Sequence, residues 1–281
     1  MPEILITGAG GQLGRALRDT YPDARQTNAD ELDISDAREV ANYDWSEVEV
    51  ILNAAAYTNV DGAETAEGRL AAWKVNAEAV ANLVRVATKQ SITLVHISSD
   101  YVFDGSQESH AEDEPLSPLS SYGASKAAGD LLVQNLEKYY LLRTSWLIGE
   151  GKNFVKTMLE LGAKGINPTV VADQVGRLTF TDQLVEAINH LLKSEADFGT
   201  YNVTNDGQPA SWAEIAREIF ECANLPIQVS ETTTEAYFAS KPNVARRPLN
   251  SSYDLSKIKA TGLELADWRD ELKKYIEGVE A

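Results

Sequence analysis

Ile4-Leu5-Ile6-Thr7-Gly8-Ala9-Gly10-Gly11-Gln12-Leu13-Gly14-Arg15-Ala16-Leu17-Arg18 decides the fold. A short apolar run stops at Gly8, and glycines at 8, 11 and 14 lead into a helical pattern. Strand, glycine turn and helix in this order open a nucleotide-binding fold. Glycine lets the backbone approach a pyrophosphate closely, and unpaired amides at the helix start hold its charge. The spacing Gly8-x-x-Gly11-x-x-Gly14 is looser than the usual dinucleotide fingerprint, so the weight passes to what lies downstream.

Downstream, apolar runs recur at 48–52, 92–97 and 139–142, separated by helix-like stretches such as 69–88. This alternation predicts a Rossmann-like, doubly wound parallel sheet with helices on both faces, an α/β fold. Ligands of such sheets bind outside the carboxyl ends of the strands, where Gly8, Asn53, Ser98 and Ser99 fall. His96, inside an apolar run, reads as a hydrogen-bonded structural residue. After Arg143 the pattern changes. Helices are expected over 153–161, 182–193 and 212–223, brief strands over 169–171 and 199–203, and Ser211 with Glu214 makes a capping box. The expected organisation is a nucleotide-binding domain over 1–145 and a smaller C-terminal α/β substrate lobe over 146–281. Within that lobe, about 177–204 should pack back on the first sheet. Residues 231–250 lack periodicity and carry Pro242, Arg246, Arg247 and Pro248, which reads as a loop facing the cleft.

Tyr122 and Lys126 stand four apart in Ser121-Tyr122-Gly123-Ala124-Ser125-Lys126. Four helical residues turn by about 400°, so phenol and ammonium project from one face, roughly 6 Å apart along the axis. A cation there favours phenolate, the layout of a proton-relay site. Such pairs are common on helix surfaces, and this one gains meaning from Ser99 and the glycine turn.

Composition narrows the partners. The 281 residues hold 43 acidic against 25 basic side chains, a net charge of −18 that repels nucleic acid and anionic membranes. Cys222 is the only cysteine, and His96, His110 and His190 have no metal-ligand spacing. With no long apolar stretch and no visible export signal, a cytoplasmic enzyme without membrane, nucleic-acid or metal partner is expected.

The order glycine turn, Ser99, Tyr122, Lys126 resembles the extended short-chain dehydrogenase/reductases. NAAAYTNVDGAE (53–64), HISSDYVFDG (96–105), RTSWLIGEGKNFVKTML (143–159), VVADQVGRLT (170–179) and ARRPLNSS (245–252) narrow it to the dTDP-4-dehydrorhamnose reductase family. The resemblance covers nearly the whole chain. It implies NAD(P)H-dependent reduction of the C4 ketone of dTDP-4-dehydro-L-rhamnose. Tyr122 would be the proton donor, Lys126 its electrostatic partner and ribose ligand, and Ser99, where most relatives have threonine, the hydroxyl on the substrate carbonyl. It places Gly8, Gly11, Gln12, Leu13 and Gly14 on the pyrophosphate, and Asp33 and Ile34 on the adenine side. Ala54, Ala55, Ala56, Tyr57 and Ser98 fall along the cofactor, and Asp100, Tyr101, Val102, Phe103, Trp146 and Asn153 near the sugar nucleotide. For the diphosphate of the substrate, Arg246 and Arg247 are the candidate cations.

Two positions depart from the family pattern. Asn28 stands where an acidic residue would grip the ribose 2′-hydroxyl, which leaves NADPH and NADH both open. Ala16 stands where some relatives carry a metal-binding glutamate at a dimer contact, so a monomer or weak homodimer without metal is expected. A dehydratase or epimerase on this scaffold is the competing enzyme reading. Tyr101 disfavours it, standing where those dehydratases place a basic glutamate. A non-catalytic regulatory subunit resembling the reductases is the alternative outside enzymes.

Overall fold

In the computed structural model, which describes residues 3–280, six parallel strands form one sheet. From edge to edge they are Gly199–Asn202, Tyr139–Thr144, Thr93–Ser99, Val50–Asn53, Ile4–Thr7 and Arg25–Thr27. Alternation along the central strands sorts their side chains. Leu5, Ile51, Leu94 and Leu141 face one side, against Val80, Leu83 and Val86 of the helix Ala79–Gln90. Ile4, Ile6, Val50, Leu52, Val95 and Leu142 face the other, against Leu13 and Leu17 of Gln12–Thr20 and Leu184, Ile188 and Leu191 of Thr181–Ser194. Each such side chain, fully buried, stabilises the fold by about 1.5–3 kcal/mol. Runs apolar at every position are what a sheet covered on both faces requires.

Register brings the functional ends together. Thr7 lies opposite Asn53, Asn53 opposite His96, and Ser99 opposite Thr144, so four strands end at one edge. Asn53 ties that edge together: its Oδ1 accepts from Thr7 Oγ1 at 2.8 Å and its Nδ2 meets His96 Nδ1 at 2.9 Å. His96 is buried at the bottom of this network.

A second core joins Val155 and Met158 of Phe154–Ala163, Ile215, Ile219 and Phe220 of Trp212–Cys222, and Trp268, Leu272 and Ile276 of Trp268–Glu280. The Ser211–Glu214 capping box is formed. Short strand pairs link segments of this C-terminal region: Leu147–Ile148 with Thr179–Phe180, Val175–Gly176 with Ala210–Ser211, and Thr169–Val171 with Ser230–Thr232. The expected loop over 231–250 is therefore partly regular. It opens on the end of Ser230–Thr232 and holds a helix at Thr234–Phe238, whose start is capped by Thr233 and pinned by Asp173.

The expected helix over 69–88 is also interrupted. Ala66–Trp73 and Ala79–Gln90 are joined by a π turn at Lys74–Glu78. That turn buries Asn76, whose amide bonds the backbone of Tyr57 and the Ser125 hydroxyl. A π turn inside a helix is rare and often sits at a functional site.

Candidate active site

A cleft of about 580 Å³ opens at the carboxyl edge of the sheet. Gly11, Gln12 and Leu13 wall one side, Ser99, Tyr122 and Lys126 form its floor, and Trp146 bounds the far side.

The glycine turn is shaped by close approach. Gly8 has φ +70°, and a Cβ there would lie 2.6 Å from the backbone of Ala55; a Cβ on Gly14 would lie 2.2 Å from the Gly8 carbonyl. No larger residue fits either place, and the helix Gln12–Thr20 begins without a side-chain cap. Its first amides are thus available to an anion. Gln12 lines the cleft with its Oε1 buried and unpaired within the protein, an acceptor suited to a ligand hydroxyl. Glycine cradle, free amides and unpaired acceptor together fit a dinucleotide.

Ser120 starts the helix Ser121–Val133 by accepting from the Gly123 amide at 3.1 Å, and Glu64 receives the Ser121 amide at 2.7 Å. From this anchored start Tyr122, Lys126 and Asp130 recur every four residues, all buried. Burial pushes the Tyr122 phenol well above its ordinary value, the Ser99 hydroxyl bond opposing. The phenol is therefore protonated at neutral pH. Burial brings Lys126 down to about 8, against the pull of Asp130. Lys126 Nζ donates to the Ile97 carbonyl at 2.6 Å. The expected easing of the phenol by Lys126 is not found in this state; the Ser99 hydroxyl alone opposes burial. Asp130 bonds Arg143 at 2.9 Å, both fully buried, and burial still leaves its carboxyl raised.

Ser99 Oγ donates to Asp100 Oδ1 at 2.8 Å, and the other oxygen of Asp100 accepts from Ser251 at 2.6 Å. Burial raises the Asp100 carboxyl, the two serines opposing. Asp100 thereby anchors Ser99 to the distant segment around residue 251. Tyr101 meets Tyr122 edge-on at 5.3 Å and lines the cleft. Trp146 has φ +49°, a strained conformation for a bulky residue, and stacks on Trp212 at 3.8 Å.

Several expected contacts fall elsewhere. Val102 and Phe103 are wholly buried in the main core, Phe103 stacked on His110 at 4.7 Å, because the 3-10 turn Asp100–Val102 sends Tyr101 to the cleft and Val102 and Phe103 inward. Asn153 caps the helix Phe154–Ala163: its Oδ1 accepts from the Lys156 amide, and its Nδ2 bonds Gly149, Gly151 and Tyr275. Arg247 is held by both oxygens of Asp61 at 2.9 Å and packs over Phe238, and Arg246 points to solvent. Neither arginine lines the cleft. Asn28 Oδ1 is taken by the Gly10 amide at 2.8 Å. Asp33 is occupied by Ser35 and Lys74, and the Ile34 side chain lies in the core. Ala54 and Ala56 line the cleft, while Ala55 backs Gly8 and Tyr57 packs beside Tyr122.

The cleft also recruits Thr58, Val60, Thr144, Ser145, Arg15, Glu150 and Lys152. Thr144 ends a strand and Ser145 follows it, so the carboxyl-edge rule could have found them. The others carry no such signal.

Comparison with known proteins is consistent with this geometry. The family model described as RmlD substrate binding domain matches residues 2–281. A dTDP-4-dehydrorhamnose reductase of Aggregatibacter actinomycetemcomitans is 39% identical over 297 residues, covering 97% of this chain and 98% of the relative. The crystal structure of a dTDP-4-dehydrorhamnose reductase from Clostridium acetobutylicum superposes with a TM-score of 0.92 at 36% identity, over 99% of this chain and 100% of that one. That of Bacillus anthracis, in complex with NADP, gives 0.90 at 36% identity over 100% of both chains.

Proposed function

This chain belongs to the dTDP-4-dehydrorhamnose reductase family, and from that premise we propose that it reduces the C4 ketone of dTDP-4-dehydro-L-rhamnose to dTDP-L-rhamnose with NADPH or NADH. One observation carries the reading: a buried, protonated Tyr122, a serine hydroxyl and a lysine share one cleft with the glycine turn.

Gly11–Leu13, Ala54 and Ala56 would hold a reduced nicotinamide cofactor, which would supply the hydride. Tyr122 Oη gives its proton to the C4 oxygen as negative charge builds there, and the Lys126 ammonium stabilises the phenolate left behind. Ser99 turns its Oγ from Asp100 toward that oxygen by rotation about χ1, while Asp100, held by Ser251, keeps the hydroxyl in reach. Charge appears only in the transition state, so these donors act on the barrier; general-acid help of this kind is worth about 10²–10⁴ in rate. Trp146, stacked on Trp212, offers an apolar wall to the sugar nucleotide.

Tyr101 supports reduction over elimination, since no carboxylate takes the base position beside Tyr122. Asn28, committed to the glycine turn, leaves no acidic grip on the ribose at that point, which supports use of either nicotinamide cofactor. Among the described residues no helix is long and apolar enough to cross a membrane. The single cysteine supports a cytoplasmic setting, and the net charge of −18 an enzyme acting on a dTDP-sugar without nucleic-acid or anionic-membrane partners.

The test is to supply dTDP-4-dehydro-L-rhamnose with NADPH or NADH and follow nicotinamide absorbance. The expected result is stoichiometric oxidation. A recycled cofactor would favour the epimerase or dehydratase reading, and absence of oxidation with a tightly bound enzyme partner the regulatory one.

A further inference from the structure

Residues 149–152 fold back over the glycine turn, and Arg15 is the side chain that ties them to it. Arg15 donates from Nε to the Glu150 carboxylate at 2.6 Å, from Nη2 to the Glu150 carbonyl at 2.7 Å and from Nη1 to the Gly10 carbonyl at 2.5 Å. Gly151, at φ +98°, lets the loop come this close, since a Cβ there would lie 3.1 Å from the guanidinium. Arg15, Glu150, Gly151 and Lys152 line the same cleft as Tyr122 and Ser99.

Two facts make this bridge a provisional one. Its partners are 29% and 73% exposed, and a surface pair of this kind is worth about 0–1 kcal/mol. A guanidinium fork that fits a carboxylate also fits phosphate, which carries more charge. The cleft has few other cations to offer an anion. Arg247 belongs to Asp61, Arg246 lies outside, and Lys126 is bonded to the Ile97 carbonyl. Lys152, exposed on the same wall, has no carboxylate partner among the described residues.

We propose that Glu150 is a place-holder: Arg15 exchanges the Glu150 carboxylate for diphosphate oxygens of a nucleotide entering the cleft, with Lys152 as the second cation. The proposal rests on the nucleotide-binding reading above. The dinucleotide and the dTDP group share the diphosphate, and the experiment separates them.

Wild type, Glu150→Gln, Arg15→Ala, Lys152→Ala and the Arg15→Ala/Glu150→Gln double variant are titrated by calorimetry with NADPH and, separately, with dTDP. For one of the two ligands, Arg15→Ala and Lys152→Ala should each weaken binding by about tenfold, the scale of a charge-assisted hydrogen bond. Glu150→Gln should tighten the same ligand by about threefold, within the range of a surface ion pair. That gain should vanish in the double variant. Unchanged affinities in Glu150→Gln, or in Arg15→Ala, for both ligands would overturn the exchange while leaving the nucleotide reading intact. Failure of wild type to bind either ligand would overturn both.

Discussion

The two walls of the cleft are built differently. On the glycine-turn side, shape comes from the backbone: parallel register, Gly8 against Ala55, and an uncapped helix start. On the side contributed after residue 145, shape comes from side chains spanning large sequence distances: Ser251 to Asp100, Arg247 to Asp61, Arg15 to Glu150, Asn153 to Tyr275. Backbone geometry over a core is hard to change one residue at a time. Side-chain ties are individually weak and adjustable.

The largest expected effect tests whether chemistry resides on the floor between the two walls. Tyr122→Phe should lower kcat by about 10²–10⁴ with NADPH affinity unchanged, read by steady-state rates and calorimetry. Retained turnover would move the acid elsewhere. Next comes the contrast between ion pairs. Asp130→Asn strands the buried Arg143 and should cost about 3–5 kcal/mol in denaturant unfolding. Asp61→Asn, at the partly exposed Arg247 pair, should cost less, about 1 kcal/mol. Equal costs would erase the distinction between buried and partly exposed ties.

A third prediction concerns pH. Lys126 carries its charge below about 8 and loses it above. Support for the Tyr122 phenolate is therefore full at low pH and withdrawn as pH rises through that value, so kcat should fall on the alkaline side near pH 8. A rate flat to pH 10 would remove Lys126 from that role. The smallest effect is expected outside both walls: Arg246→Ala should leave the KM for the sugar nucleotide within about twofold, inside the range of surface substitutions. A larger rise would bring residues 231–250 over the substrate.

The same division explains what could be read from the sequence. Strands and the glycine turn announce themselves by local pattern, and Tyr122, Lys126 and Ser99 inherit their positions from elements with a period. Asp100–Val102 is a three-residue turn without one, so Tyr101, Val102 and Phe103 could not be sorted between cleft and core. Asn153, directly before a helix, carried an N-cap signal that outweighs a ligand role. The π turn at Asn76 and the Arg15–Glu150 bridge depend on contacts 19 and 135 residues apart, and no window of sequence contains them.

Net reduction at C4 is tested most directly by supplying dTDP-4-dehydro-L-rhamnose with NADPH deuterated at the transferring position and reading the product by NMR. The predicted result is one deuterium at sugar C4 for each cofactor oxidised. Product without deuterium at C4, or formed with no net loss of reduced cofactor, would contradict it.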